Sequence, residues 1–384
     1  MNRDRFPGLQ DGWARLDGPA GTQAVDSSID AIAGWMRSGR SANHGGLFNA
    51  GRHTDELTDS TRAVVGELMG ADPRGVVFGP NMTTLTLAFA AAAGRELREG
   101  DEIVCTRLDH DANVRPWLLA AERAGATVRF AEPDRETLEL PPEAVERVLT
   151  DRTRWVAVTA ASNAVGTVPD VAAIVAAAHA VGARTYVDAV HATPHRRLDV
   201  AALDTDALVC SSYKWFGPHQ GLLCVCPELL EELTPDKLRP APDEVPDRWE
   251  TGTQSFEAIA GIEAAAHYML GLDWNAVEAH EKALLGVMLA GLSSITGVRL
   301  HGAPADRAPT VMFSVDGRTA DAVARDLAEA QVAVWHGNYY AWELHRYLGL
   351  GPDGAVRAGV VHYNDKNDVE RLLEAVERCA VAVA

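Results

Sequence analysis

The sequence predicts an α/β protein: a large, mostly parallel sheet covered on both faces, followed by a smaller C-terminal α/β unit. Three observations carry this. Short apolar runs alternate with helical segments from residue 76 to residue 226, the βαβ pattern of a parallel sheet. Polar side chains gather where those runs end, with Asp188 after 185–187 and Ser211-Ser212-Tyr213-Lys214 after 207–210. Open α/β sheets place their ligands at such carboxyl ends. Near Trp274 the texture changes, and a long helix over 276–292 leads into a compact tail. Residues 1–273 and 274–384 therefore read as two domains.

Bulk composition narrows the class. A chain of 384 residues, 47% hydrophobic and 23% charged, has the balance of a water-soluble globular protein. Its Ala-rich segments are broken by Arg, Asp or Glu before they reach the length of a membrane span, so no membrane partner is expected. The opening MNRDRFPGLQDGW lacks the apolar centre of a signal peptide. Five cysteines, an odd number, suit a reducing compartment, and a cytoplasmic location is expected. A formal charge of −19 argues against nucleic acid. An anionic cofactor is still compatible, because backbone N–H groups and a few local cations set the field of a pocket.

Along the chain, the turn-rich 16–23 precedes a helix over 27–36 and a Gly-containing loop over 41–46. A helix spans 55–69. A strand over 75–79 runs through Pro80-Asn81-Met82-Thr83-Thr84 into a helix over 85–93. Strand, small hydroxyl turn and helix start together make an anion site. The strand at 102–105 leads to a loop carrying His110, and the strand at 155–159 to a loop carrying Asn163. A crossover helix covers 171–181. After Lys214 comes a buried strand, 221–226, whose Cys224 and Cys226 read as core residues, with no metal expected. The irregular stretch 237–254 has the length of a functional or interface loop. Strands at 298–301, 310–315 and 332–335, and a last helix over 366–383, complete the small domain.

Asp188 and Lys214 are the chemical centre. A lysine amine can hold an aldehyde cofactor, and an aspartate can keep a pyridine nitrogen protonated, which is what pyridoxal 5'-phosphate needs from a protein. Asp-Ala-Val-His at 188–191, followed by Ser-Ser-Tyr-Lys at 211–214, resembles the class V aminotransferases, most closely their cysteine desulfurase-like group. The resemblance spans nearly the whole chain. It implies the fold type I architecture of pyridoxal-phosphate enzymes, with a seven-stranded large sheet. It implies Lys214 and Asp188 as catalytic residues and His110 stacked on the pyridine ring. Met82 (through its N–H), Thr83 and Ser211 are implied at the phosphate, with Gly252 and Thr253 reaching it across a homodimer interface. Asn163 is implied at the ring oxygen and the substrate carboxylate, and Arg357 on that carboxylate.

Three positions depart from the family. His191 stands where desulfurases usually carry glutamine, and Tyr213 replaces a histidine; both remain implied cofactor contacts. In the small domain, desulfurases carry a nucleophilic cysteine on a mobile loop. Here the loop reads Trp335-His336-Gly337-Asn338-Tyr339-Tyr340, with Tyr340 in the cysteine's place. A phenol cannot replace a thiolate in forming a persulfide. Tyr340 is accordingly expected to act catalytically in another way, and Asn338 to contact substrate. The expected activity is cleavage of the carbon–sulfur bond of cysteine or a cysteine-derived amino acid, with no enzyme persulfide. An aminotransferase or amino-acid epimerase using the same site is the alternative, and a non-catalytic binding protein is the alternative of another class.

Overall fold

In a computed structural model, which describes residues 3–381, seven strands form the large sheet: β1 (Val76–Gly79), β2 (Glu102–Thr106), β3 (Thr127–Ala131), β4 (Thr153–Thr159), β5 (Arg184–Asp188), β6 (Ala207–Ser211) and β7 (Gly221–Val225). Their order across the sheet is β1-β7-β6-β5-β4-β2-β3. Only β7 runs against its neighbours, pairing antiparallel with both β1 and β6. The mostly parallel seven-stranded sheet implied by the resemblance is therefore present. β1, β2, β6 and β7 are buried along their full length, because helices cover both faces and leave no polar side.

The helices around the sheet start and stop on local chemistry. Asn81 accepts a hydrogen bond from the Thr84 N–H at 2.9 Å, so the helix Met82–Ala93 begins three residues before the apolar run does. Asp170 caps Val171–Ala180 in the same way through the Ala173 N–H. Gly70, at φ 61°, ends Asn49–Met69 in the left-handed conformation that glycine adopts without strain. Several elements escape the sequence pattern, three of them beside the large sheet. β3 is an edge strand with only Ala131 fully buried, so its period-2 signal is weak. The helices Arg115–Ala124 and Phe256–Leu270 lie in segments to which the sequence pattern assigned no element.

The small sheet contains β8 (Val298–His301), β9 (Thr310–Val315), β10 (Trp335–Gly337) and β11 (Ala355–Gly359) in the order β10-β11-β9-β8, all antiparallel. The strand expected at 332–335 is two strands. Val332–Ala333 pairs with Ala14–Arg15, and Trp335 begins β10. The helices Trp274–Ser294 and Lys366–Val381 cover this sheet, and the last helix is expected to run on to 383, outside the described residues. Its core joins Leu284, Met288, Phe313, Val356 and Leu372 to Ala14 and Leu16 from the chain's beginning.

That early segment positions the site. Gly359 donates its N–H to the Leu16 carbonyl at 2.9 Å, and a Cβ at Gly359 would lie 2.4 Å from the Pro19 ring. Only glycine lets Pro19 approach β11 so closely. The Pro19 carbonyl then faces the large sheet and accepts a hydrogen bond from Lys214.

Candidate active site

β6 ends at Ser211, and one 3₁₀ turn, Ser212–Lys214, swings the lysine back over the sheet. The Ser212 N–H closes that turn on the Gln220 carbonyl at 2.9 Å. Lys214 is buried, and its ammonium donates to Pro19. Burial pulls its pKa down to about 7; Arg357 adds to the fall and Asp188 opposes it.

Asp188 closes β5, between β4 and β6, and is buried. Its Oδ1 accepts the Val190 N–H at 2.9 Å. Burial raises its pKa to about 6, restrained by that hydrogen bond and by Lys214. A buried carboxylate of this kind is ready to face a cation. One turn on, His191 is buried with Nε2 2.9 Å from the Thr310 hydroxyl, and burial pushes its pKa well down, so the ring is neutral.

His110 caps the short turn after β2. Its Nδ1 accepts the Ala112 N–H at 3.0 Å, which leaves the ring proton on Nε2. Burial, with Lys214 and Arg357 nearby, lowers its pKa to about 3. Asn163 donates through Nδ2 to the Tyr339 carbonyl at 2.9 Å, and its own carbonyl accepts from Arg357 Nη1 at 2.8 Å. Arg357, on β11, lies 4.6 Å from the Tyr339 ring, and burial lowers its pKa to about 10. At the start of the helix Met82–Ala93, the Met82 N–H donates to Ser211 Oγ at 3.1 Å.

These groups meet in one cavity. Its outer cleft, about 730 Å³, is lined by Thr83, His110, Asn163, Tyr213, Lys214, Tyr340 and Arg357 among others. An inner recess of about 80 Å³ adds Met82, Asp188 and His191. Ser211 lies behind the wall, on Met82. Three expected site residues lie elsewhere. Gly252 and Thr253 line a separate cleft of about 390 Å³ with His44, Arg62 and Glu250, so one chain does not bring them to Lys214. Asn338 spends its side-chain oxygen on the Tyr340 N–H, 3.0 Å away, and shapes the loop instead of lining the cavity. The two tyrosines of that loop part company. Tyr339 is buried against Arg357, whereas Tyr340 is 69% exposed and stacks on the His110 ring at 5.3 Å.

The structure also adds groups that the sequence did not point to. His219 stacks on Tyr213 at 4.8 Å, and Leu87, Arg115 and Trp335 line the outer cleft. Trp335 opens the loop already singled out and Leu87 lies in the helix after the anion turn, but their meeting with Arg115 and His219 comes only from tertiary packing. None of the five cysteines lines this cavity, and Cys226, read as a core residue, is exposed one position beyond β7, where it caps a short helix.

The residues present fit pyridoxal phosphate. Two buried polar atoms facing this region, Asn163 Oδ1 and Arg357 Nε, have no protein partner, as expected where a ligand supplies one. An amine, a buried carboxylate and a helix N-terminus are the donor set for an aldehyde, a pyridine nitrogen and a phosphate.

Comparison with known proteins agrees. The family model for Aminotransferase class-V matches residues 14–372. A probable cysteine desulfurase of Mycobacterium leprae is 32% identical over 388 residues, covering 95% of this chain and 91% of its own length. The apo structure of a cysteine desulfurase from Thermococcus onnurineus superposes with a TM-score of 0.93 at 25% identity, covering 99% of this chain and 97% of the other. A cysteine desulfurase from Escherichia coli, crystallised in an S-sulfonic acid form, gives 0.90 at 27%, covering 99% and 98%. The chain belongs to the class V aminotransferase family and is a pyridoxal-phosphate-dependent enzyme of its cysteine desulfurase-like group.

Proposed function

We propose that this enzyme cleaves the carbon–sulfur bond of cysteine or a cysteine-derived amino acid and releases the sulfur directly, without storing it on an enzyme cysteine. The observation that carries this reading is the absence of any cysteine from the cavity that holds Lys214, Asp188 and Arg357. Tyr340 occupies the loop position where desulfurases of the group carry their nucleophile, and its ring stacks on His110 at the cavity that holds Lys214.

When bound, pyridoxal phosphate supplies an electron sink for charge developing at the substrate α-carbon. The chain's own residues supply the rest. Arg357 holds the α-carboxylate, with Asn163 beside it. Lys214, with a pKa of about 7, is substantially unprotonated at neutral pH and takes the α-proton. Asp188, buried at the end of β5, would hold a negative charge against a protonated pyridine nitrogen. His110, neutral with its proton on Nε2, would pack on the face of the ring. Thr83 and the N-terminal end of the helix Met82–Ala93 would hold the phosphate, with Ser211 behind Met82 fixing that turn, and Tyr213 and His191 would line the place of the ring. With water, the products are pyruvate, ammonia and the released thiol or sulfide.

The test is product analysis on the purified enzyme with L-cysteine and cysteine conjugates. Pyruvate and ammonia in equal amounts support the proposal. Alanine with enzyme-bound sulfane sulfur refutes it. Conversion of the cofactor to its amine form would point to transamination, and inverted amino acid without cleavage to epimerisation.

We also propose a homodimer with shared sites in the cytoplasm. Gly252 and Thr253 sit beside a cleft reached by His44, close in sequence to the exposed Leu47 (93%) and Phe48 (60%). Apolar side chains so open to water are the kind a partner subunit covers. Sedimentation showing a monomer at micromolar concentration would remove this part. Among the described residues no helix is long and apolar enough to cross a membrane.

A further inference from the structure

The outer cleft has to take both the cofactor, at Thr83, His110 and Lys214, and the side chain of the substrate. Cavities of roughly 300–1,000 Å³ enclose drug-sized ligands, and this one, at about 730 Å³, extends past the cofactor groups to Leu87, Arg115 and Trp335. Its wall is aromatic: Tyr213, Trp335, Tyr339 and Tyr340 all line it, in a chain that is only 6% aromatic. Asp111 is the sole carboxylate on that wall.

The position of Trp335 relative to the carboxylate clamp decides what those rings meet. Trp335 on β10 is the direct cross-strand partner of Arg357 on β11. Residues directly opposite in an antiparallel pair share one face, with Cβ atoms about 5 Å apart. The indole therefore stands beside the guanidinium that holds the substrate's carboxylate, and it is 50% exposed. Tyr340 stacks on His110 and is 69% exposed, and Leu87, 44% exposed, adds an aliphatic surface to the same cleft. Exposed rings with one face free, next to the groups that fix the amino-acid end, make a side-chain pocket for another flat apolar group.

We infer that the substrate is an amino acid whose side chain extends past the sulfur into an aromatic group, an S-arylalkyl or S-aryl cysteine, held against Trp335 and Tyr340. This rests on the cavity around Lys214 being the reacting centre. The bond broken is the one between the β-carbon and sulfur. The electron pair leaves with sulfur as an aromatic thiolate, which takes a proton, and the remaining aminoacrylate is hydrolysed to pyruvate and ammonia. No oxidant or reductant is needed.

The test compares S-benzyl-L-cysteine with S-methyl-L-cysteine on the holoenzyme, in the wild type and in Trp335→Ala, Tyr340→Ala and Trp335→Phe. Two readouts are taken: rapid-mixing quench of tryptophan fluorescence for binding, and kcat/KM for thiol release. The wild type is expected to favour the benzyl compound about tenfold or more in both. Trp335→Ala is expected to bring that ratio towards one, Tyr340→Ala to reduce it, and Trp335→Phe to keep most of it in kcat/KM while losing the quench. Equal handling of the two compounds by the wild type, or an unchanged ratio in Trp335→Ala, overturns the inference. The two readings fail separately. A benzyl preference in binding with no thiol released removes the carbon–sulfur reading alone, and thiol released equally from both compounds removes this one alone.

Discussion

Replacing Lys214 by methionine should stabilise the protein freed of its cofactor, and it should do so most at low pH. The lysine is buried, and burial with the neighbouring Arg357 takes its pKa from 10.5 to about 7. A drop of roughly 3.5 in pKa, at about 1.4 kcal/mol each, makes the charged lysine cost the fold about 5 kcal/mol. Below pH 7 the lysine carries its proton in both folded and unfolded chains, so the full cost is present. Between pH 7 and 10.5 only the unfolded chain holds the proton, and the cost fades by about 1.4 kcal/mol per pH unit. Above 10.5 it is gone. Methionine removes this cost and fills a similar volume, but it strands the Pro19 carbonyl that Lys214 now satisfies, a loss of about 1–3 kcal/mol. The net expectation is a gain of about 2–4 kcal/mol at pH 6, shrinking steadily towards pH 10. Urea unfolding of both cofactor-free proteins at pH 6, 8 and 9.5, followed by tryptophan fluorescence, measures it. A variant less stable than wild type at pH 6, or a difference that does not change with pH, would refute the claim that burial of this amine is what primes it as a base.

Other outcomes follow from the same geometry. Asp188→Asn removes the charge expected opposite the pyridine nitrogen, so turnover should fall by about 100-fold or more while the circular dichroism of the fold is unchanged. Arg357→Lys keeps a cation but loses the planar fork, and KM for amino-acid substrates should rise about 10- to 100-fold with a smaller change in kcat. Gly221→Ala would place a Cβ 2.3 Å from the carbonyl carbon of Asn81. It should push the turn before Met82 out of place and weaken cofactor affinity about tenfold or more, read by equilibrium dialysis. Glu281→Ala leaves the buried His195 without its hydrogen-bond partner, 2.9 Å away, and should cost about 1–3 kcal/mol in urea unfolding.

The large sheet was readable because its strands are buried on both faces. Val76–Gly79, Ala207–Ser211 and Gly221–Val225 present uninterrupted apolar runs, and polar residues can collect only at their ends. That is why Asp188, Ser211 and Lys214 stood out. The edge strand Thr127–Ala131 did not, since an edge half in water keeps Arg129 and loses the pattern. The loop after Trp335 was legible as an insertion point for a nucleophile, and its lack of cysteine was plain. Which of its tyrosines turns inward was not, because Tyr339 and Tyr340 are adjacent, both polar-aromatic, and both at positive φ. Arg357 below and His110 above sort them.

By itself, then, the order of residues along the chain determined the buried strands and the polar residues at their ends, since burial pattern and turn chemistry are local properties, and the resemblance carried by those residues supplied the cofactor. Tertiary structure decided the rest. The clamp of Arg357 and Asn163, the seat of Lys214 on Pro19 and the aromatic wall around Trp335 join segments as much as 195 residues apart. No local pattern encodes contacts at such separations; they exist only once the large and small sheets close on the segment 14–19.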